Sequence, residues 1–455
     1  MSSPDTIVAI ASAPGRGAVG VLRVSGPQVP RIAGALLGTL PAPRLARFGR
    51  FRDASGASID QGIALYFPAP ASFTGEEVLE LQGHGGALVM DLLMQRVLEL
   101  GARMARPGEF SERAFLNGKM DVAQAEAVAD LIDAATAAAA RAAVRSMQGE
   151  FSARIATIAS LIAELRIHVE AAIDFPDEEI DFLNTPAITS RLARVLHAFD
   201  SLEAAARQGT LLRDGLTVVI AGKPNAGKSS LLNVLAGDDV AIVTAAPGTT
   251  RDVLRQRVHI DGLPLNLVDT AGLRSAVDPA EQEGVRRARG ELQRADRILY
   301  VIDASEGRSG GPGSGSAASD ALEGLPHGVP VTLVLNKIDL VALPAHADAL
   351  SSPPRIFLSA RSGAGIGLLR AHLKASAGYV EIESGALGAR RRHLDALKRA
   401  RALVDEAGVA LRQARTFELF AEDLRLAQRA LGEITGEVTN EDLLAAIFAS
   451  FCIGK

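Results

Sequence analysis

The sequence predicts an α/β plus all-α protein: an α/β domain first, then helical segments that flank a phosphate-loop α/β domain. Three observations carry that prediction. Residues 1–118 hold short alternating apolar runs set between Gly and Pro, residues 216–360 alternate β-rich runs with helix-like segments, and apolar residues recur at helical spacing on both sides of that second region. The order suits one helical domain with the nucleotide-binding domain inserted into it; two separate helical domains would give the same pattern.

The first domain is expected over residues 1–118. Its opening run IVAI follows Asp5 with no basic residue ahead of it, the pattern of a first β-strand and not of a signal peptide. Val19–Val24 and Ile63–Phe67 alternate as strands, and Ala87–Leu100 reads as a helix. The first helical part is placed at 119–210, where Phe151, Ile155, Ile158, Ile162, Leu165 and Val169 recur at spacings of 4, 3, 4, 3 and 4 along one stripe of a long helix. Asp177–Asp181 reads as a solvated acidic turn, and helical patterning resumes over Ile188–Arg207. The phosphate-loop domain is placed at 211–377. LTVVIAG, RILYVID, VPVTLVLN and RIFLSA are its strands, Asp261-Gly262 marks a hairpin turn, and the Gly/Ser-rich 305–320 is a surface loop. The second helical part, 378–455, is read from Leu394, Leu397, Leu403 or Val404, Leu411, Leu419, Leu424 and Leu431.

Composition narrows the function classes. A chain of 455 residues has room for several domains, and with 48% hydrophobic and 22% charged residues it is not globally disordered. A net charge of -5 offers no global basic footprint, so nucleic-acid binding would need local Arg clusters. One cysteine excludes an intramolecular disulfide framework and a Cys/His zinc cluster, and it fits a reducing cytoplasm. No charge-poor apolar run reaches about 18 residues, so no membrane span is expected. Only seven of the 48 basic residues are lysine, leaving 41 arginines, so each lysine asks for a role that a guanidinium does not fill.

The strongest motif is Gly222-Lys-Pro-Asn-Ala-Gly227-Lys228-Ser229, after the strand LTVVIA and before the helix-compatible SSLLNVLAG. Such a turn points backbone N–H groups at phosphates, the helix N-terminus favours the anion, Lys228 reaches the β/γ-phosphates and Ser229 supplies an oxygen to Mg²⁺. Asn225, Ala226, Gly227 and Ser230 belong to the same cradle. Asp269-Thr270-Ala271-Gly272 ends the strand LNLVD; its carboxylate would hold Mg²⁺ through water and the Gly272 N–H would bond the γ-phosphate. Asn336-Lys337-Ile-Asp339 ends TLVLN, and a carboxylate at Asp339 accepts both N1–H and N2–H₂ of guanine, donors that adenine lacks. Ser359-Ala360 after RIFL adds a backbone contact to the base. In GTTRD, Thr249 and Thr250 offer the hydroxyl that completes the Mg²⁺ shell and senses the γ-phosphate. Together these motifs on successive strand ends describe a GTP-binding domain.

Two gaps remain in that constellation. Leu273 follows Gly272 and cannot position water, so hydrolysis needs another polar group, and Asp278, Glu281 and Glu283 are the nearest carboxylates beyond the loop. No arginine finger stands out, and Asn225 is the kind of neutral oxygen ligand that a monovalent cation uses. Near the end of the chain Cys452 reads either as a small buried hydrophobe or as a nucleophile, with no base placed beside it by sequence. His84 in QGHGG reads as a turn residue or ligand contact rather than a general base.

The stretches DTIVAIASAPGRGAVGVLRVSG, SFTGEEVLELQGHGG, RPGEFSERAFLNGKMDVAQAEAVADLI, GKPNAGKSSLLN, IVTAAPGTTRD, DTAGLR and the terminal FCIGK resemble the MnmE (TrmE) family of bacterial tRNA-modification GTPases over essentially the full length. The resemblance implies an N-terminal α/β domain that dimerises and binds a tetrahydrofolate one-carbon derivative (5-formyl- or methylene-tetrahydrofolate), a discontinuous helical domain, and an inserted Ras-like G domain. It places Arg23, Glu80, Lys119 and Lys455 in the folate pocket. K⁺ takes the place of an arginine finger, on Asn225, Thr244, Ala246 and Thr249; Mg²⁺ falls to Ser229 and Thr250 with Asp269. Thr244 thereby joins the GTP contacts, Glu281 matches a glutamate that positions water at one remove, and Lys228, Glu281 and Cys452 become the catalytic candidates. The family usually has Arg after Gly222, where this chain has Lys223. The implied protein is a cytoplasmic, potassium-dependent GTPase homodimer. With a flavin- and NADH-dependent MnmG-like partner, in a heterotetramer, it would modify C5 of the wobble uridine of certain tRNAs by carboxymethylaminomethyl or aminomethyl addition. An Era- or Der-like ribosome-assembly switch is the alternative, but those carry a KH domain or a second G domain and this chain shows neither.

Overall fold

The computed structural model describes residues 5–174, 185–237, 255–269, 290–305, 325–380, 385–412, 417–438, 441–451 and 454. The acidic run Asp177–Asp181 and residues 306–320 of the Gly/Ser-rich stretch lie outside the described residues. The chain divides into two compact units: Met1–Ile132, Val144–Leu202 and Asp395–Lys455 form one, Asp133–Ala143 and Glu203–Leu394 the other.

In the first unit the strands β1 (Ile7–Ile10), β2 (Gly17–Ser25), β3 (Arg47–Arg52), β4 (Ser58–Phe67), β5 (Val78–Gly85) and β6 (Arg103–Met104) form one sheet in the order β3-β4-β5-β2-β1-β6. Neighbours pair antiparallel except β1 with β6. Side chains alternate across a strand, so one face gathers Val8, Leu22, Val24, Leu79 and Leu81, covered by α1 (Val29–Leu37) and α2 (Ala87–Glu99) through Ile32, Leu36, Leu93 and Val97. The residues of opposite parity, Arg23 and its register partners Ala9 and Glu80, face the other way. There Ile7, Ala9, Ala105 and Phe110 close a smaller core with Phe73, Phe110 coming from α3 (Glu109–Leu116).

The helices α4 (Val122–Ile132), α5 (Ala137–Met147), α6 (Glu150–Asp174) and α7 (Thr185–Asp214) follow. All six residues of the expected stripe on α6 are at most 3% exposed, and burying each such side chain is worth about 1.5–3 kcal/mol.

In the second unit, β7 (Leu216–Gly222), β8 (Arg255–Ile260), β9 (Leu263–Asp269), β10 (Arg297–Asp303), β11 (Val331–Asn336), β12 (His346–Asp348) and β13 (Arg355–Phe357) form a sheet in the order β12-β13-β11-β10-β7-β9-β8. The five central strands run parallel and the two edges antiparallel. Asp261 and Gly262 turn β8 into β9 with φ of 48° and 87°, as a two-residue hairpin requires. The helices α8 (Lys228–Ala236) and α9 (Ile366–Ser376) bury Leu231, Leu235, Leu369 and Leu373 against the strands.

Beyond the second sheet come α10 (Arg391–Arg412), α11 (Phe417–Thr435) and α12 (Glu441–Ala449). In the first unit α11 lies along α6: Gln428 donates to the Ala159 carbonyl at 3.0 Å and accepts from Arg166 at 2.6 Å. Within the first unit, therefore, a helix that precedes the second sheet in sequence packs on one that follows it. On α12, Ile447 and Phe448 join Val122, Ala125 and Phe451. Leu419 is 54% exposed, because the buried stripe of α11 runs through Phe420, Leu424, Ala427 and Leu431 and position 419 sits about 100° off it.

Candidate functional site

At the carboxyl end of β7 the chain turns through Gly222–Gly227 into α8. Gly227 caps the helix with φ of 93°, and a Cβ there would lie 2.3 Å from the Asn336 amide nitrogen, so both conformation and space demand glycine. Asn225 also has positive φ, at 64°. The first turn of α8 leaves backbone N–H groups without intrahelical partners, an end that favours an anion. The Lys228 ammonium lies back over the loop, donating to the carbonyls of Gly222 at 3.0 Å and Lys223 at 2.9 Å. Ser229 and Ser230 are exposed, and among the described residues the side chains of Asn225, Ser229 and Ser230 have no hydrogen-bond partner.

Asn336, 2% exposed at the end of β11, joins this loop to two others. Its amide donates to the Ala226 carbonyl at 2.9 Å, its side-chain oxygen accepts the Ala360 N–H at 2.9 Å, and its own carbonyl accepts the Ala304 N–H at 2.9 Å. The fully buried Ser359 accepts the Ser362 N–H at 3.2 Å and donates its backbone N–H to Ala364. Lys337 has positive φ, 65°, and caps the short 3-10 turn Ile338–Leu340, which leaves Asp339 exposed and, among the described residues, without a hydrogen-bond partner. The Lys337 ammonium pairs with Asp303 at 2.6 Å. Burial opposes the Asp303 charge, but Lys337 and Ser305 outweigh it and hold the carboxyl below its ordinary range.

Asp269 closes β9, its backbone in register with Ile220 of β7. Thus Asn225–Ser230, Asp269, Asn336–Asp339 and Ser359–Ala360 all gather at the carboxyl ends of the parallel strands, where a ligand crevice belongs in an open α/β sheet. Thr244, Ala246, Thr249, Thr250, Thr270, Ala271, Gly272, Leu273, Asp278, Glu281 and Glu283 lie outside the described residues.

The first unit holds a second cluster. Arg23 Nε and Nη2 meet the Glu80 carboxylate at 2.9 and 2.8 Å, its guanidinium stands 5.5 and 5.9 Å from the ring centres of Phe73 and Phe110, and Nη1 reaches the Gly454 carbonyl at 3.5 Å. Both charged groups stay partly open, at 23% and 17% exposure. Lys119 is not in direct contact with them; its stem lies against Gly75, two residues from Phe73. Nearby, Arg113 binds Asp5, Glu76 and Glu109, and Arg103 binds Asp5 and Glu109. Burial works to raise the Glu109 carboxyl, yet the hydrogen bonds from Arg103, the Arg106 N–H and Arg113 bring it down to about 2. Cys452 and Lys455 lie outside the described residues.

A family model described as the MnmE helical domain matches residues 122–452, and one described as the GTP-binding protein TrmE N-terminus matches residues 6–119. The chain belongs to the MnmE family. It is 56% identical, over 100% of both chains, to the tRNA modification GTPase MnmE of Methylococcus capsulatus, and equally to that of Sodalis glossinidius; the Proteus mirabilis protein of the same name is 54% identical over the same share. Among the described residues of this MnmE-family chain, no helix is long and apolar enough to cross a membrane.

Sequence reasoning missed four residues of these clusters. Phe73 and Phe110 stand inside motifs already singled out, but nothing in their spacing says that they flank Arg23. Asp303 ends the strand RILYVID, a position at which a carboxylate after an apolar run was a usable signal. Gly454 was visible only as part of the tail. His84, read as a turn residue or ligand contact, stands in β5 one residue before its end, and Asp60 binds both its backbone N–H and its Nδ1 at 2.8 Å.

Proposed function

We propose that the chain is a GTP hydrolase whose nucleotide cycle serves tRNA modification, at C5 of the wobble uridine, together with a flavin- and NADH-dependent partner. The observation that carries the nucleotide reading is the Asn336 bridge, which unites the phosphate loop, the Asp339 turn and the Ser359–Ala360 loop through two buried hydrogen bonds. Asp339 then accepts the two donors of the guanine edge, the N–H groups at the start of α8 take the phosphates, and Lys228 moves from the loop carbonyls onto the β/γ oxygens. Mg²⁺ fits Ser229, in the first turn of α8, and Asp269, at the end of β9, as hard oxygen donors, and K⁺ fits the unengaged amide oxygen of Asn225. Those cations, when bound, offset the phosphate charge. Glu281, Thr244, Ala246, Thr249 and Thr250 take the roles expected above.

The Arg23 cluster suits a one-carbon tetrahydrofolate: Glu80 accepts from the donor-rich pterin, the half-buried Phe73 offers a ring face, and Arg23, Lys119 and Lys455 meet carboxylates. The homodimer, the flavoprotein complex and the cytoplasmic location belong to the same reading. It is tested by steady-state hydrolysis with GTP and ATP in KCl and NaCl at equal ionic strength. Turnover of GTP alone, markedly faster in K⁺, is expected; equal turnover of ATP refutes the guanine site, and equal rates in the two salts refute the K⁺ assignment.

A further inference from the structure

Asp303 is buried at the carboxyl end of β10, directly opposite Asn336 in register. Both of its oxygens are assigned. One takes the Lys337 ammonium at 2.6 Å, and the other takes the Ser305 N–H at 2.9 Å and hydroxyl at 2.6 Å. The carboxylate is therefore fixed in rotation as well as in place. Its partner Lys337 is a non-glycine residue in the left-handed region, and its backbone angles set the direction of the following 3-10 turn, which bears Asp339. The base of that turn closes through the Leu340 N–H to the Lys337 carbonyl at 3.0 Å. Among the described residues Asp303 is the one ionic partner of Lys337.

We propose that Asp303, braced by Ser305, is a positioning residue for guanine recognition, acting through Lys337 to aim Asp339 at the base. This rests on the guanine-nucleotide reading above. The pair sits beside the turn that bears Asp339 and outside the phosphate loop, so its effect belongs in affinity and base discrimination and not in turnover. A general role in holding two strand ends together would weaken all nucleotides alike. An aiming role weakens most the nucleotide that uses both oxygens of Asp339, so inosine triphosphate, which lacks the 2-amino donor of guanine, separates the two.

The test compares GTP and inosine triphosphate on the wild type and on Asp303→Asn, which keeps the side-chain shape and its acceptor for Ser305 but removes the charge. GTP affinity is expected to fall about tenfold, equivalent to about 1.4 kcal/mol, and inosine triphosphate affinity about threefold, so the preference narrows. KM for GTP rises with kcat little changed. Ser305→Ala, which only loosens the carboxylate, shifts the preference the same way by about twofold, and Asp303→Asn adds nothing in a Lys337→Met background. An unchanged preference, or an additive double variant, overturns the proposal while the guanine reading stands. A wild type that binds GTP no better than ATP overturns both.

Discussion

Replacing Asn336 by alanine removes a side chain that is 2% exposed and leaves two backbone groups, the Ala226 carbonyl and the Ala360 N–H, without the partners they hold at 2.9 Å. Each buried group left unpaired costs about 1–3 kcal/mol, before water and loop relaxation return part of it. A net loss of about 3 kcal/mol, roughly a hundredfold in guanine-nucleotide affinity, is expected. The loss falls on binding because the bridge is what keeps the phosphate loop and the base loops in one arrangement before the ligand arrives. Asn336→Asp is a sharper probe. It keeps an acceptor for the Ala360 N–H but turns its second oxygen toward the Ala226 carbonyl, setting acceptor against acceptor, so it should lose at least as much as alanine despite retaining one bond. Calorimetric titration with GDP, alongside circular dichroism to establish folding, reads both variants. Affinities within threefold of the wild type in two folded variants would sink the idea that this bridge preorganises the site.

Two further expectations concern the first unit. Gly454 has φ of 95° and a Cβ there would sit 2.7 Å from the Ile10 carbonyl, so Gly454→Ala should lift the tail off Arg23 and weaken 5-formyltetrahydrofolate binding about tenfold while K⁺-stimulated GTP hydrolysis persists; unchanged folate titrations would separate the tail from that pocket. Glu109 titrates near 2 in the folded chain against 4.5 ordinarily, so the stability it contributes, on the order of 2–3 kcal/mol, is complete above pH 4.5 and is lost as pH falls toward 2. Glu109→Gln should therefore flatten the urea-unfolding midpoint across that window, and an equally steep acid dependence in the variant would contradict the assignment.

Reading along the chain reached the phosphate loop, the strand ends and the long stripe of α6 because each is a contiguous pattern whose chemistry depends on its own backbone. A Gly-rich turn before a helix binds phosphate by local geometry, and six apolar residues at helical spacing name a buried face whatever packs on it. The leucine pattern of α11 names a helix but not its covered face, since a helix with leucines on two sides does not declare that Phe420 is buried and Leu419 exposed. The tertiary structure decided what side chains meet across distance. Arg23 and Gly454 are 431 residues apart, Asn336 and Ala226 are 110 apart, and Asp303 and Lys337 meet at the carboxyl ends of the adjacent strands β10 and β11. Those contacts depend on strand order and register, which arise from the packing of whole elements, and no spacing along the chain encodes them.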